Sequence, residues 1–228
     1  HRSESMIFTA LILLGCAPEK TTDSAEQPKP VLATLTLLDA IQSTPKGNVT
    51  LTSSLESTNT DGNGQGTVLV EEETQVVIAA SAPGYLTHNM YLYSGRINYN
   101  AVSFLASETA ATQMYSLLSP TLIPDESKGV LIVALDTPEL LPSVGAAAAI
   151  SSESDDPFIL TNSVVYGNAI TSASRGFVAF PNVATGSTII SVTPPNGQTC
   201  MQYPAGDDNI AEVDMIAGEV SVVFFQCE

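Results

Sequence analysis

The stretch VLATLTLLDAIQSTPKGNVTLT, residues 31–52, carries the pattern that decides the fold. Polar and apolar residues alternate in Thr34–Leu37 and again in Asn48–Thr52, and both runs are rich in β-branched side chains. Such alternation is typical of strands that bury one face. Thr44-Pro45-Lys46-Gly47 lies between the two runs and has turn-forming residues. The stretch therefore predicts two strands joined by a turn.

The strand rhythm continues as far as Tyr93. Asp61-Gly62-Asn63-Gly64 predicts a tight hairpin turn, because Gly and Asn tolerate the positive φ that short hairpins require. The turn also has a superficial likeness to a calcium loop, although Glu72 would stand at the twelfth position only if the next strand were ignored. Further strands are predicted at Thr67–Val70, Gln75–Ala80 and Leu86–Tyr93.

A second unit repeats the first from Gly129 onwards. GVLIVALD, residues 129–136, corresponds to ATLTLLD, residues 33–39, and later strands are expected at Val144–Ser151 and Arg175–Phe180. A final strand is predicted at Glu219–Gln226. The insert Ser152–Ala173 is long and acidic, so it is either the best candidate for a binding loop or a solvated loop.

The region between the two units breaks the strand rhythm and predicts one helix, Glu108–Leu118. Ala110, Met114 and Leu117 fall at helical spacing, and Ser107 is a suitable N-cap. We expect this helix to pack against a sheet edge or between the units, with a partner-binding role as the alternative.

Several of these segments together resemble the carboxypeptidase regulatory-like domain, a transthyretin-like β-sandwich that serves as an accessory module in bacterial envelope proteins. The resemblance rests on an ordered set of motifs, which are Val49-Thr50-Leu51, Thr60–Gly64, Val76–Ala80 and Ala82-Pro83-Gly84-Tyr85. In the second unit, Pro181–Gly186 and Thr188–Val192 resemble the same family. Gln65-Gly66-Thr67 departs from the family, which usually has an aromatic residue soon after the turn.

The resemblance and the composition, which is rich in Thr, Ser, Val and Gly and lacks Trp, lead to one fold expectation. We expect an all-β chain with two tandem transthyretin-like or Ig-like β-sandwich domains and one short connecting helix. The expected domains are residues 31–95 and 128–228, with residues 96–127 as the linker. The family's accessory domain implies no peptidase activity.

The N-terminal residues predict the cellular location of the protein. The apolar run Ile7–Leu14 is far shorter than the ~20 residues that span a bilayer. Leu13-Leu14-Gly15-Cys16 resembles the lipobox of bacterial lipoproteins. That resemblance implies a signal peptide at residues 1–15, a membrane-anchoring lipid on Cys16 and a flexible tether at residues 16–30. Ala17 after the cysteine resembles outer-membrane sorting in Gram-negative bacteria. Because His1-Arg2-Ser3 lacks a methionine, we expect a longer basic region before it.

The charge balance excludes two classes of partner. The formal net charge is −17, and six of the seven Lys and Arg residues follow the expected signal peptide. Nucleic acids and anionic membranes are bound by clustered cations, so neither is an expected partner through charge. The acidity is interpreted as a solvated surface rather than a dedicated cation-binding site.

The roles of the three cysteines follow from the expected compartment. With Cys16 lipidated, Cys200 and Cys227 are an even pair in an oxidising compartment, where a disulfide is expected. Two unrelated buried thiols are the alternative. A metal site is not expected, since there is no Cys-x-x-Cys spacing and His88 is the single histidine after the signal.

No catalytic motif is present, and neither enzymatic activity nor a cofactor is expected. There is no G-x-S-x-G, H-E-x-x-H, Walker or Rossmann pattern, and a catalytic triad could use only His88. We expect a lipid-anchored, non-catalytic binding or adhesion module for a glycan or protein. Its alternative is a structural spacer of the envelope. The candidate ligand surface comprises Tyr91, Tyr93, Tyr99, Asp155 and Asp156.

Overall fold

A computed structural model describes residues 29–118, 122–161 and 163–228 of the chain. The regular structure of these residues is sixteen β-strands and one short helix, so the all-β prediction is confirmed. The expected signal peptide, the lipidation site Cys16 and most of the tether lie outside the described residues.

The first half of the chain supplies seven strands and the helix. They are β1 (Val31–Asp39), β2 (Thr50–Thr52), β3 (Ser57–Asn59), β4 (Gln65–Val70), β5 (Thr74–Ser81), β6 (His88–Ser94), β7 (Tyr99–Leu105) and α1 (Glu108–Leu118). The second half supplies β8 (Gly129–Asp136), β9 (Ala147–Ile150), β10 (Phe158–Leu160), β11 (Val164–Tyr166), β12 (Phe177–Val183), β13 (Gly186–Thr193), β14 (Cys200–Gln202), β15 (Ile210–Met215) and β16 (Val220–Cys227).

These strands form one central sheet with a smaller sheet on each face. The central sheet has ten strands, ordered β11-β10-β12-β8-β16-β6-β5-β2-β3, with β14 paired to β16. The covering sheets have three strands each, β4-β1-β7 and β15-β13-β9. Two hydrophobic cores result, one between the central sheet and each cover.

Strand β16 joins the two halves. It pairs in parallel with β6 of the first half and with β8 of the second. Val220 and Val222 are buried in the first core, whereas Val223 and Phe225 are buried in the second. Because successive side chains of a strand point to opposite faces, the two cores lie on opposite faces of one continuous sheet. Sequence analysis expected the last strand in the second unit; its pairing with β6 is an additional finding.

Helix α1 has the predicted bounds and covers part of the central sheet beside β4-β1-β7. The Ser107 hydroxyl caps it by accepting a hydrogen bond of 3.0 Å from the Ala110 amide. Tyr115 of the helix is buried against Phe158. Ile132 of β8 packs against both the first core and the helix cluster, which places both on the same face of the central sheet. Within the described residues, no helix is long and apolar enough to cross a membrane.

The expected linker at residues 96–127 was predicted to contain one helix, but it also contains strand β7. Its buried residues include small or polar Ala101 and Ser103, whereas apolar Val102 and Phe104 are exposed. The burial alternates along the strand, but the hydrophobicity does not follow it, and this hid the strand from pattern analysis. The insert at residues 152–173 likewise contains the short strands β10 and β11.

Candidate functional site: a groove beside strand β7

A groove runs along the free edge of β7, where the cover β4-β1-β7 stops short of helix α1. It has an inner part of about 200 Å³, with Met114 and His88 in its wall, and an adjoining outer part of about 540 Å³ that ends near Tyr203. The apolar residues that line the inner part include Val102, Phe104, Ile132, Ala134, Val222 and Phe224. The central sheet thus provides an apolar floor that neither the small sheet nor the helix covers.

Strand β7 presents unpaired backbone groups to this groove. The Leu105 carbonyl accepts a 3.0 Å hydrogen bond from the Ala40 amide on the β1 side, and β1 is its only partner strand among the described residues. The Asn100 carbonyl instead accepts a 2.6 Å bond from the Tyr203 hydroxyl. Peptide groups alternate in direction along a strand. The N–H and C=O groups of Val102 and Phe104 therefore point to the same side of β7 as the Asn100 carbonyl, away from β1.

Two charged side chains line both parts of the groove. Asp136 is half-buried, Arg175 is exposed, and no hydrogen bond or ion pair between described residues engages either side chain. Burial raises the pKa of the Asp136 carboxyl to about 6, because removal from water disfavours the charged form. Gly176 makes room for this carboxyl, because a Cβ there would collide with Asp136 Oδ1, and its φ of +81° also favours glycine.

His88 closes the inner end of the groove but has no free ring nitrogen. Its Nδ1 lies 2.9 Å from the Leu86 carbonyl and donates to it, while Nε2 accepts a 3.2 Å bond from the Ala106 amide. The side chain is fully buried, and this burial lowers its pKa to about 4. His88 is therefore neutral and holds the end of β7 against β6, an arrangement that gives no support to a catalytic role.

The pH dependence of stability tests this role of His88. The unfolded histidine takes up a proton near pH 6.5, but the folded one does so only near pH 4. Stability is therefore lost as the pH falls through this window, by about 3 kcal/mol at its end. Urea denaturation of the native protein and of His88→Gln between pH 4 and 7 measures this effect. The difference in the free energy of unfolding between the two proteins removes the pH dependence of the carboxylates, which both share. Parallel stability profiles would contradict the assignment.

The three tyrosines expected at a ligand surface do not form an exposed cluster. Tyr91 is buried, with its hydroxyl donating to the Asp214 carbonyl at 2.8 Å, and Tyr99 is buried in the first core. Tyr93 is half-buried. Tyr91 lies on β6, inside the central sheet, and Tyr99 lies on β7 in contact with the first core, so both rings serve packing. This corrects the expectation that Tyr91 and Tyr99 offer their rings to a ligand.

The acidic residues of the insert are exposed, but one of them holds the loop in place. Asp155 Oδ2 accepts a 2.6 Å hydrogen bond from Asn182 Nδ2, and the Asp155 amide donates to the Pro181 carbonyl at 3.2 Å. Asp156 is exposed. Across residues 29–118, 122–161 and 163–228, no group of three or more His, Cys, Asp or Glu side chains could hold a metal ion.

Two other sequence predictions have a clear outcome. Asp61 Oδ1 accepts hydrogen bonds from the amides of Asn63 at 2.8 Å and Gln65 at 2.9 Å, so the predicted tight turn is present. It is not a hairpin, because it joins β3 of the central sheet to β4 of a covering sheet, and these strands pair with β2 and β1 instead. Cys200 and Cys227 form a disulfide that links β14 to β16. The disulfide expectation is therefore confirmed, and the alternative of two separate thiols is not.

Comparison with known proteins gives weak structural likenesses only. No family model and no curated protein matches the chain. Among solved structures, the Bacillus anthracis TIE protein is similar at 11% identity and a TM-score of 0.30, over 87% of this chain and 34% of that one. A streptococcal ancillary pilin is similar at 13% identity and a TM-score of 0.27, over 87% and 62%.

A third likeness is to GBS52, the minor pilin of Streptococcus agalactiae, at 9% identity and a TM-score of 0.30, over 86% of this chain and 94% of that one. The chain spans about a third of the first of these structures and under two thirds of the second. TM-scores this low establish neither kinship nor activity. The function is therefore argued from this chain's own residues.

The groove residues were missed by sequence analysis. Val102, Phe104, Asp136 and Arg175 come from three segments separated along the chain, and none belongs to a motif. The one available signal in the sequence was the alternation of apolar Val102 and Phe104 with the small residues Ala101 and Ser103. It becomes meaningful only once β7 is known to be an edge strand.

Proposed function

We propose that this protein is a non-catalytic binding module of the cell envelope that holds a protein or glycan ligand in the groove beside β7. The lipid on Cys16 would anchor it to the outer membrane of a Gram-negative bacterium, with residues 16–30 as a spacer. The observation that carries the binding role is the apolar floor of the groove, which is open to solvent beside an unpaired strand edge.

The lining of the groove supports a ligand with apolar surface. Uncovered aliphatic and aromatic side chains of β8 and β16 gain free energy when a ligand removes them from water, at about 25 cal/mol for each Å². Asp136 and Arg175 add charges of opposite sign at the same place. Pockets with apolar walls and a few polar groups are the usual form of binding sites in proteins.

The envelope location is supported by two independent features. The disulfide between Cys200 and Cys227 is of the kind that persists in oxidising compartments such as the periplasm and cell surface. The Leu13-Leu14-Gly15-Cys16 sequence supplies the resemblance to a lipidation site. The spacer alternative predicts an even polar surface without a pocket, and the groove favours the binding role over it.

Filling the groove tests the proposal. Ala134→Phe adds a ring to the groove floor, and Ala149→Phe adds the same ring at an exposed position of β9 that does not line the groove. The native full chain and both variants would be screened against a displayed peptide library and a glycan array. We expect ligands that bind the native protein and Ala149→Phe alike but lose about tenfold or more in affinity for Ala134→Phe, the effect of removing a buried contact.

The outcomes separate the two functions. Enrichment that survives Ala134→Phe would place binding elsewhere on the protein. If neither the peptide library nor the glycan array yields a ligand, the structural spacer is favoured.

A further inference from the structure

We propose that the groove takes an extended, basic polypeptide segment that adds to the free edge of β7 as a fourth strand of the sheet β4-β1-β7. This inference rests on the proposed binding function and names the ligand class for it. The side chains that face the central sheet, at alternate positions of the segment, are apolar except for one Lys or Arg.

The first support is the distribution of backbone bonds along β7. At its start the Asn100 carbonyl accepts from Tyr203, and just past its end the Ala106 amide donates to His88. Between these points the groove-facing peptide groups of Val102 and Phe104 have no partner among the described residues. An added strand bonds to such groups, which is how sheet edges recognise extended peptides.

The second support is the fit of a strand to the space. Neighbouring strands lie about 4.8 Å apart and stacked sheets about 10 Å apart. A strand beside β7 therefore lies over the central sheet, with alternate side chains directed at Ile132, Ala134 and Phe224. Its other side chains lie beside Val102 and Phe104, which are 42% and 44% exposed and would gain cross-strand contacts. The added strand closes the gap that the three-stranded cover leaves open.

The third support is charge, and it selects the occupant. Asp136 lies in the groove wall, half-buried and without a donor among the described residues, so a cationic side chain placed there would satisfy its carboxylate. The chain as a whole has a net charge of −17, which attracts a basic partner and repels an acidic one. Arg175 stays at the exposed rim. A second copy of this acidic chain is disfavoured for the same reason.

The probe is a fluorescent seven-residue peptide, Val-Thr-Val-Thr-Lys-Thr-Val, capped at both ends, in which Lys lies on the same face as the three Val residues. A second peptide has Glu in place of Lys. Val102→Pro removes an N–H that points into the groove and leaves the bonds to β1 intact, since proline is tolerated where the N–H faces away from the partner strand. Val102→Thr keeps the N–H and is the matched control. Binding to the full chain is measured by fluorescence anisotropy.

We expect the Lys peptide to bind the native chain and Val102→Thr within about twofold of each other, and Val102→Pro about tenfold more weakly, as the loss of a backbone hydrogen bond predicts. Asp136→Asn should remove the preference for the Lys peptide over the Glu peptide. Equal binding to Val102→Pro and Val102→Thr would overturn strand addition. If Ala134→Phe still abolished binding, the groove would remain the site and the proposed function would stand.

Two further results would overturn the inference. Concentration-dependent self-association of the native chain that Val102→Pro abolishes, seen by sedimentation, would make a second copy the occupant. Tighter binding of the Glu peptide than of the Lys peptide would reverse the charge argument.

Discussion

Phe225→Ala is expected to reduce the free energy of unfolding by about 3–5 kcal/mol, the range for a buried phenylalanine replaced by alanine. Phe225 is 2% exposed and packs in the second core, on the face of β16 opposite Val222. Phe104→Ala is the matched control, because that ring is 44% exposed and its removal should cost about 1 kcal/mol or less. Urea denaturation followed by far-UV circular dichroism measures both.

The same strand predicts how the two halves unfold. Because β16 pairs with both β6 and β8, loss of its second-core contacts should also weaken the first half. Val222→Ala acts on the first core, with an expected loss of about 2 kcal/mol. Both variants should shift one shared unfolding transition. Two transitions, each moved by a single variant, would contradict the view that the central sheet unfolds as a unit.

Local features of this fold could be predicted from the sequence, because they depend on neighbouring residues. The bounds of α1 follow from helical spacing and the Ser107 cap, and the Asp61 turn follows from Gly and Asn next to an oxygen acceptor. The disulfide followed from the count of cysteines and the expected compartment. Each of these inferences needed only a few residues or a composition.

The position of β16 depends on pairing across the whole chain, which no local pattern encodes. Its sequence nevertheless held a clue that was not used: Val220–Phe225 is apolar at five of six positions, which is typical of a strand buried on both faces. A strand at the edge of a two-sheet sandwich would alternate instead. The interior position between two parallel neighbours explains this composition.

The groove could not be predicted for a related reason. It exists because the small sheet ends at β7 before it reaches α1, and this gap is a property of how layers of different width overlap. Sequence analysis predicted exposed tyrosines at Tyr91, Tyr93 and Tyr99, but β6 lies inside the central sheet and Tyr99 of β7 is buried in the first core. The residues that face the gap, Val102 and Phe104, belong to a strand whose pattern was hidden by buried Ala101 and Ser103.

Removal of the disulfide is the second prediction with a large expected effect. Cys200 and Cys227 are 27 positions apart, and the chain-entropy model assigns a cross-link of that length about 3.5 kcal/mol of restriction in the unfolded state. Both residues are buried, so Cys200→Ala with Cys227→Ala also loses packing. Denaturation of the double variant should therefore show a stability loss of about 3 kcal/mol or more.

The control for this variant is the native protein unfolded with and without a thiol reductant. The native transition should move to lower denaturant when reduced, whereas the double variant should not respond. Strand β14 pairs with β16 alone among the described strands, so the bond also fixes β14 on the sheet. Limited proteolysis should then cut the variant first near residues 203–209, next to β14. A stability loss below about 1 kcal/mol would mean that pairing with β16 restricts this loop without the covalent bond.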